Sequence, residues 1–90
     1  MVKRRYKFIY TKHALKDAKL VSRDPKLKVR VEELLAILAK DPFTPPCKAL
    51  VGKYKGAYSR RINRQHRLVY QVIEETQTIK VLRMWTHYGD

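Results

Sequence analysis

The sequence predicts an α+β domain with the element order β-α-α-β-β-β, in which two N-terminal helices pack on one face of a small twisted antiparallel sheet. Three patterns predict this order: an early run of period two, two helical apolar stripes, and three strand-like segments after residue 56. Ninety residues suffice for one hydrophobic core and not for two, so a single domain over 1–90 is expected.

The first half of the chain supplies one strand and two helices. Residues 5–10 alternate between aromatic and other side chains, which is typical of a strand, and a helix is predicted over 12–22. For the second helix, Asp24 can cap the N-terminus, Pro25 suits the first position, and the helix should end near Asp41. Its buried stripe is Leu27, Val31, Leu34, Leu35 and Leu38.

The second half predicts a loop followed by a meander of strands. Residues 42–56 carry three prolines and two glycines and indicate a loop or an irregular strand, anchored by Leu50 and Val51. Turns are expected at 63–65 and 74–76. The three predicted strands are 57–62, 66–73 and 78–86.

Charge is the strongest signal in the composition. Twenty-one basic residues against eight acidic ones give 21 − 8 = +13, which predicts a nucleic acid or an acidic protein as partner. Cys47 is the only cysteine, which excludes an internal disulfide and a thiolate zinc site and fits a reducing cytoplasm. The basic N-terminus is not followed by an apolar stretch, so neither a signal peptide nor a membrane span is expected.

A basic hairpin concentrates this charge. If 63–65 form a three-residue turn, Arg61 lies opposite Arg67 on one face of the sheet, where two like charges are destabilising unless an anion lies between them. Phosphate matches a guanidinium fork, whereas the alternative is that both side chains extend into water. Between Pro42 and Ile73 there is no acidic residue, and the basic ones are Lys48, Lys53, Lys55, Arg60, Arg61, Arg64 and Arg67.

Aromatic residues and histidines complete the candidate site. Tyr58 could stack on a base or pack in the core, whereas Tyr70 alternates with apolar neighbours and is predicted to be core. RNA cleavage needs an acid for the leaving oxygen, and His87 and then Tyr88 are the candidates. A lone terminal histidine is otherwise an ordinary surface residue.

Three blocks resemble the Txe/YoeB toxins of the RelE/ParE superfamily: Gly-Ala-Tyr-Ser-Arg-Arg-Ile at 56–62, His-Arg-Leu-Val-Tyr at 66–70, and His-Tyr at 87–88. The resemblance extends over essentially the whole chain. It implies a RelE-like microbial RNase fold and the toxin of a type II toxin–antitoxin system, which cuts messenger RNA in the ribosomal A site without metal or cofactor. It also implies a YefM/Axe-like antitoxin as partner and allows a homodimer.

The resemblance assigns roles by position. Arg61 and Arg67 would stabilise the scissile phosphate, His87 would protonate the leaving 5′ oxygen, and Tyr88 would position the nucleotide or assist. We expect further contacts to RNA from Lys53, Lys55, Tyr58, Arg60, Arg64 and His66.

Lys48 departs from the family pattern, because relatives carry a glutamate general base at this position. Three interpretations remain open: Lys48 acts as the base among its cationic neighbours, the protein binds without efficient cutting, or the chain is a deliberately attenuated toxin. The main alternative function is therefore a binding module that occupies the ribosome or only sequesters its antitoxin. A gyrase-directed toxin is a weaker one, since such members usually lack the arginine pair and the His-Tyr end.

Overall fold

The computed structural model describes residues 5–84 as two helices and a five-stranded sheet. The strands lie in the order β1-β5-β4-β3-β2. Short 3-10 turns occupy Gly52–Tyr54 and Glu74–Thr76. The elements are β1 (Lys7–Tyr10), α1 (Lys12–Ser22), α2 (Pro25–Lys40), β2 (Lys48–Ala49), β3 (Tyr58–Arg61), β4 (Arg67–Ile73) and β5 (Thr78–Arg83).

Both helices begin where capping chemistry predicts. Asp24 accepts a hydrogen bond from the Leu27 amide at 3.2 Å, and Pro25 follows it at the first helical position. The Thr11 hydroxyl caps α1 by accepting from the Ala14 amide at 3.1 Å. The predicted helix over 12–22 and the predicted start of the second helix are confirmed. Neither helix in residues 5–84 is long and apolar enough to cross a membrane.

The sheet is mixed, so the prediction of an antiparallel sheet is wrong at one edge. β1 runs parallel to β5, with Phe8 opposite Ile79, while the other three pairings are antiparallel. The period of two in residues 5–10 determines which face each side chain occupies and carries no information on the direction of the neighbouring strand. The two helices and the meander return the chain beside β1 in the same direction.

One core holds the helices against the sheet. Tyr70 is 0% exposed, which confirms its assignment to the core. Val51, expected to anchor the loop, is 85% exposed and lies just before the turn at Gly52, so that expectation is wrong; Leu50 is half-buried. The buried core cluster is Ala14, Val21, Leu27, Val31, Leu34, Leu38, Ile62, Leu68, Tyr70, Ile79, Val81 and Met84.

Candidate active site

A tight turn between β3 and β4 brings two arginines together. The Asn63 side-chain oxygen accepts hydrogen bonds from the amides of Gln65 and His66, both at 2.8 Å. The Ile62 amide donates to the His66 carbonyl at 2.9 Å and closes a loop of three residues. This geometry places Arg61 directly opposite Arg67, which confirms the predicted register.

The two arginines line an open cleft of about 350 Å³. Arg61 is exposed, whereas Arg67 is half-buried and donates through Nη1 to the Ser59 hydroxyl at 3.4 Å. Lys48 on β2 lies opposite Ser59 on β3, and it lines the same cleft. The lining residues are Pro46, Cys47, Lys48, Ser59, Arg61 and Arg67.

The charges in this cleft lack internal compensation. Within residues 5–84, neither Arg61 nor Arg67 forms a salt bridge, and no carboxylate lines the cleft. Opposed cations on a sheet repel each other, and an anion bound between them removes that repulsion. A guanidinium group can donate two parallel hydrogen bonds to phosphate oxygens, so the cleft offers donors suited to a phosphate group.

The face of the hairpin that points toward the core has a different role. The Arg60 side chain is only 7% exposed and donates through Nη1 to the Thr44 carbonyl at 2.5 Å. Tyr58 is half-buried, and its ring packs edge-on against Phe43 at 5.4 Å between ring centres. Both were predicted to bind RNA from their position among basic residues. Alternation along β3 turns both side chains away from Arg61, so they do not share its face of the hairpin, contrary to what a direct contact with RNA in the cleft would need.

The other predicted RNA-binding residues lie around the hairpin and the preceding loop. Lys55 and Arg64 are exposed, and His66 is half-buried at the start of β4. The Lys53 ammonium lies 5.7 Å from the centre of the Tyr54 ring. It lines a second cleft of about 330 Å³. The structure thus leaves Lys53 outside the cleft of the arginine pair.

Tyr70 connects the core face to the loop that leads into the cleft. Its hydroxyl donates to the Pro42 carbonyl at 2.7 Å. Burial raises the pKa of the Tyr70 phenol far above its usual value of 10, because the phenolate would have to form away from water. The phenol therefore stays protonated and keeps its hydrogen bond over the physiological pH range.

Sequence reasoning missed Asp17, a buried carboxylate on α1 that is 3% exposed. It accepts hydrogen bonds from Arg83 Nε at 2.8 Å and from the Met84 amide at 3.0 Å, and so holds the end of β5. The signal that could have revealed this buried carboxylate is an acidic residue within the apolar stripe of α1. His87 and Tyr88 lie outside the described residues.

Metal ligands are not grouped in the described part of the chain. Residues 5–84 contain no cluster of three or more His, Cys, Asp or Glu side chains that could hold a metal ion. The arginine cleft itself presents the cationic side chains of Lys48, Arg61 and Arg67, the Ser59 hydroxyl and the Cys47 thiol.

Comparisons with known proteins find relatives that cover most of the chain. The toxin YoeB of Streptomyces coelicolor is 35% identical over 82 residues, which cover 88% of this chain and 95% of that protein. The YoeB/ParE toxin from Agrobacterium tumefaciens superposes with a TM-score of 0.85 at 28% identity, covering 91% of this chain and 99% of that chain. Staphylococcus aureus YoeB superposes both in a complex with YefM (TM-score 0.79, 30% identity) and as a dimer (0.81, 31%), each covering 93% of this chain and 99% of that chain.

The family assignment rests on a match over nearly the whole chain. A family model described as a YoeB-like toxin of a bacterial type II toxin–antitoxin system matches residues 10–88. Toxins of the YoeB and RelE families are generally ribonucleases, which supports a nuclease toxin. The chain belongs to the YoeB family of toxins of bacterial type II toxin–antitoxin systems.

Proposed function

We propose that this protein is a metal-independent endoribonuclease that cuts messenger RNA on the translating ribosome, acting as one toxin domain over 1–90. The observation that carries the proposal is the direct opposition of Arg61 and Arg67 on one cleft face. A single RNA phosphate between them would satisfy both guanidinium groups and neutralise their repulsion.

The reaction proposed for this cleft is attack by the substrate's own 2′-OH on the adjacent phosphorus. A base removes the 2′ proton, the P–O bond to the 5′ oxygen breaks, and an acid protonates that leaving oxygen. Arg61 and Arg67 stabilise the charge that develops on the phosphorane oxygens. His87 supplies the acid and Tyr88 assists, as the resemblance to the family implies.

Lys48 is the candidate base. Among the described residues that line the cleft, the ionisable side chains are Cys47, Lys48 and the two arginines, and the arginines are assigned to the phosphate. It stands where relatives of this family carry glutamate. A lysine removes a proton only in its neutral form. We propose that Lys53, Lys55, Arg64 and His66 contribute RNA contacts outside the cleft.

A second candidate function is a family member that binds the ribosome, RNA or an antitoxin without cutting. The observation that favours it is the same Lys48, because no carboxylate lines the cleft within residues 5–84 to replace the missing glutamate. Loss of a general base slows such reactions by about 10²–10⁴-fold, which would leave binding intact.

We further propose that an antitoxin of the YefM/Axe type covers the basic cleft with an acidic or amphipathic segment. The support is the net charge of +13 and the complex of Staphylococcus aureus YoeB with YefM. A homodimer is proposed by analogy with the dimer of the same relative. Action on ribosomes requires the protein to work in the cytoplasm.

The test is primer extension on messenger RNA bound to translating ribosomes, with the natural chain, Lys48→Glu and His87→Ala. The proposal expects cleavage by the natural chain and a loss of about 10²–10⁴-fold in His87→Ala. Cleavage only by Lys48→Glu would support the non-cutting member. If neither the natural chain nor Lys48→Glu cuts, the enzyme proposal is wrong, and inhibition of translation without products would leave the binding function.

A further inference from the structure

Arg60 is a basic residue of the hairpin, and it is buried. The proposed contacts with RNA do not explain why it is buried. Its side chain is 7% exposed, and its hydrogen bond goes to a neutral acceptor, the Thr44 carbonyl, at 2.5 Å. Within residues 5–84 it forms no salt bridge with a carboxylate. Burying a charge without a counter-charge is costly, so an apolar residue here would be expected to serve the core better.

The acceptor identifies the segment that benefits. Thr44 belongs to residues 42–47, which contain three prolines and so offer few amide donors to the sheet. Two side chains from the core face of the hairpin bind carbonyl groups of this segment: Arg60 binds Thr44, and Tyr70 binds Pro42 at 2.7 Å. The segment is therefore attached to the sheet through side-chain donors.

The end of this segment and Lys48 after it line the cleft that holds the arginine pair, and this lining is called the wall below. Pro46, Cys47 and Lys48 follow Thr44 within four residues, and all three line the cleft. β2 adds only two residues of pairing to β3, with Lys48 opposite Ser59. A strand of two residues fixes its own position weakly, so the side-chain hydrogen bonds to the segment before it contribute to the position of the wall.

We propose that Arg60 is a positioning residue, whose hydrogen bond to Thr44 holds the cleft wall bearing Lys48 at its distance from Arg61 and Arg67. It acts through the wall and does not touch the RNA. Whether Arg60 holds the wall in place does not depend on catalysis. The expected effect on the cleavage rate rests on the proposed nuclease function.

The first experiment measures hydrogen exchange by mass spectrometry in the natural chain, Arg60→Met and Arg60→Lys. Arg60→Met should speed exchange in residues 43–50 by roughly tenfold or more, because a hydrogen bond from a charged donor is lost. β4 and β5 should exchange at the natural rate, and Arg60→Lys should recover much of the protection. Equal acceleration in all segments, or none in 43–50, would show that Arg60 does not position the wall.

The second experiment uses Arg61→Met as a matched control, since Arg61 is the next residue on the same strand and faces the cleft. In ribosome-dependent cleavage, Arg60→Met should lower the maximal rate by roughly 10–100-fold at an unchanged half-saturating toxin concentration, as expected for a misplaced catalytic group. Arg60→Lys should be partly restored. Arg61→Met should instead weaken binding as well as the rate.

The two experiments separate the possible failures. If Arg60→Met weakens RNA binding as Arg61→Met does, Arg60 contacts RNA and the positioning role is wrong. If the natural chain does not cut at all, the proposed function fails, while the exchange measurement still decides whether Arg60 holds the wall.

Discussion

The two faces of the β3–β4 hairpin make different kinds of contact, although they are formed by alternate residues of the same two strands. On the core face, Arg60 and Tyr70 each donate a hydrogen bond to a carbonyl of the preceding loop. On the cleft face, Arg61 and Arg67 oppose each other without an anionic partner among residues 5–84. Arg60 and Arg61 are adjacent and chemically identical, yet their roles differ because alternation along a strand sends them to opposite faces.

On the core face the polar groups are bound within the fold, whereas on the cleft face two like charges are left opposed, as the proposed phosphate site requires. Unpaired like charges cost stability in the free protein, and an active site tolerates that cost when the substrate removes it. Substitutions on the cleft face should therefore change RNA binding and the cleavage rate with little effect on unfolding. Substitutions on the core face should change the stability of the fold or of the loop at 42–47, and should affect the rate only through that loop.

The largest expected effect is on the cleft face, for Arg67→Gln. Removing one donor to the developing phosphorane charge should lower the cleavage rate by about 10²–10³-fold. The free energy of unfolding should stay constant or rise by a few tenths of a kcal/mol, because the opposed charge is gone. Primer extension and denaturant unfolding measure the two quantities. Arg64→Gln in the turn is the control, and an equal loss of activity there would mean that net charge alone acts.

On the core face, Tyr70→Phe should destabilise the protein by about 1–2 kcal/mol, because the Pro42 carbonyl loses its donor. The folded-state pKa of Tyr70 is raised above the ordinary value of 10. The natural chain is therefore stabilised by this group below pH 10, and that contribution is lost as the pH rises above 10, where the unfolded phenol ionises first.

The measurement is the stability difference between the natural chain and Tyr70→Phe as a function of pH. The difference should be constant up to about pH 9.5 and should shrink above pH 10. Taking the difference cancels the lysines that also titrate there. A difference that grows with pH would mean that the phenolate is accommodated, contrary to the burial seen on this face.

The smallest effect is expected for an exposed cation away from the cleft. Lys55→Gln should reduce the log–log slope of RNA affinity against salt by about 0.7, the contribution of one phosphate contact in a single strand. Filter binding over a range of salt concentrations measures this slope. Val51→Gln, an exposed neutral neighbour, should leave it unchanged. A slope unaffected by Lys55→Gln would confine the RNA to the cleft.

Much of the fold followed from local chemistry. Asp24 and Pro25 are a capping pair that depends only on the residues beside them, and so α2 was predicted to begin where it does. The opposition of Arg61 and Arg67 followed from a turn of three residues, which Asn63 stabilises through its side chain.

What failed depended on contacts between distant segments. The parallel pairing of β1 with β5 joins the two ends of the sequence, and no local pattern encodes it. The charge of Arg60 does not predict its burial, although its two-residue spacing from Tyr58 and Ile62 is that of a side chain on the core face. Lys48 was placed on the cleft by resemblance, and its contribution there stays a prediction.

The parallel edge of the sheet also bears on how the molecule is made. β5 pairs with β1 on one side and β4 on the other, although β1 is synthesised first and β5 last. While the chain is still emerging from the ribosome, β5 is missing, and neither β1 nor β4 can pair with it. Pairing between segments so far apart in sequence forms late. The sheet that supports the arginine cleft is therefore unfinished until Arg83 has left the ribosome, so the cleft is assembled only after β5 has been synthesised.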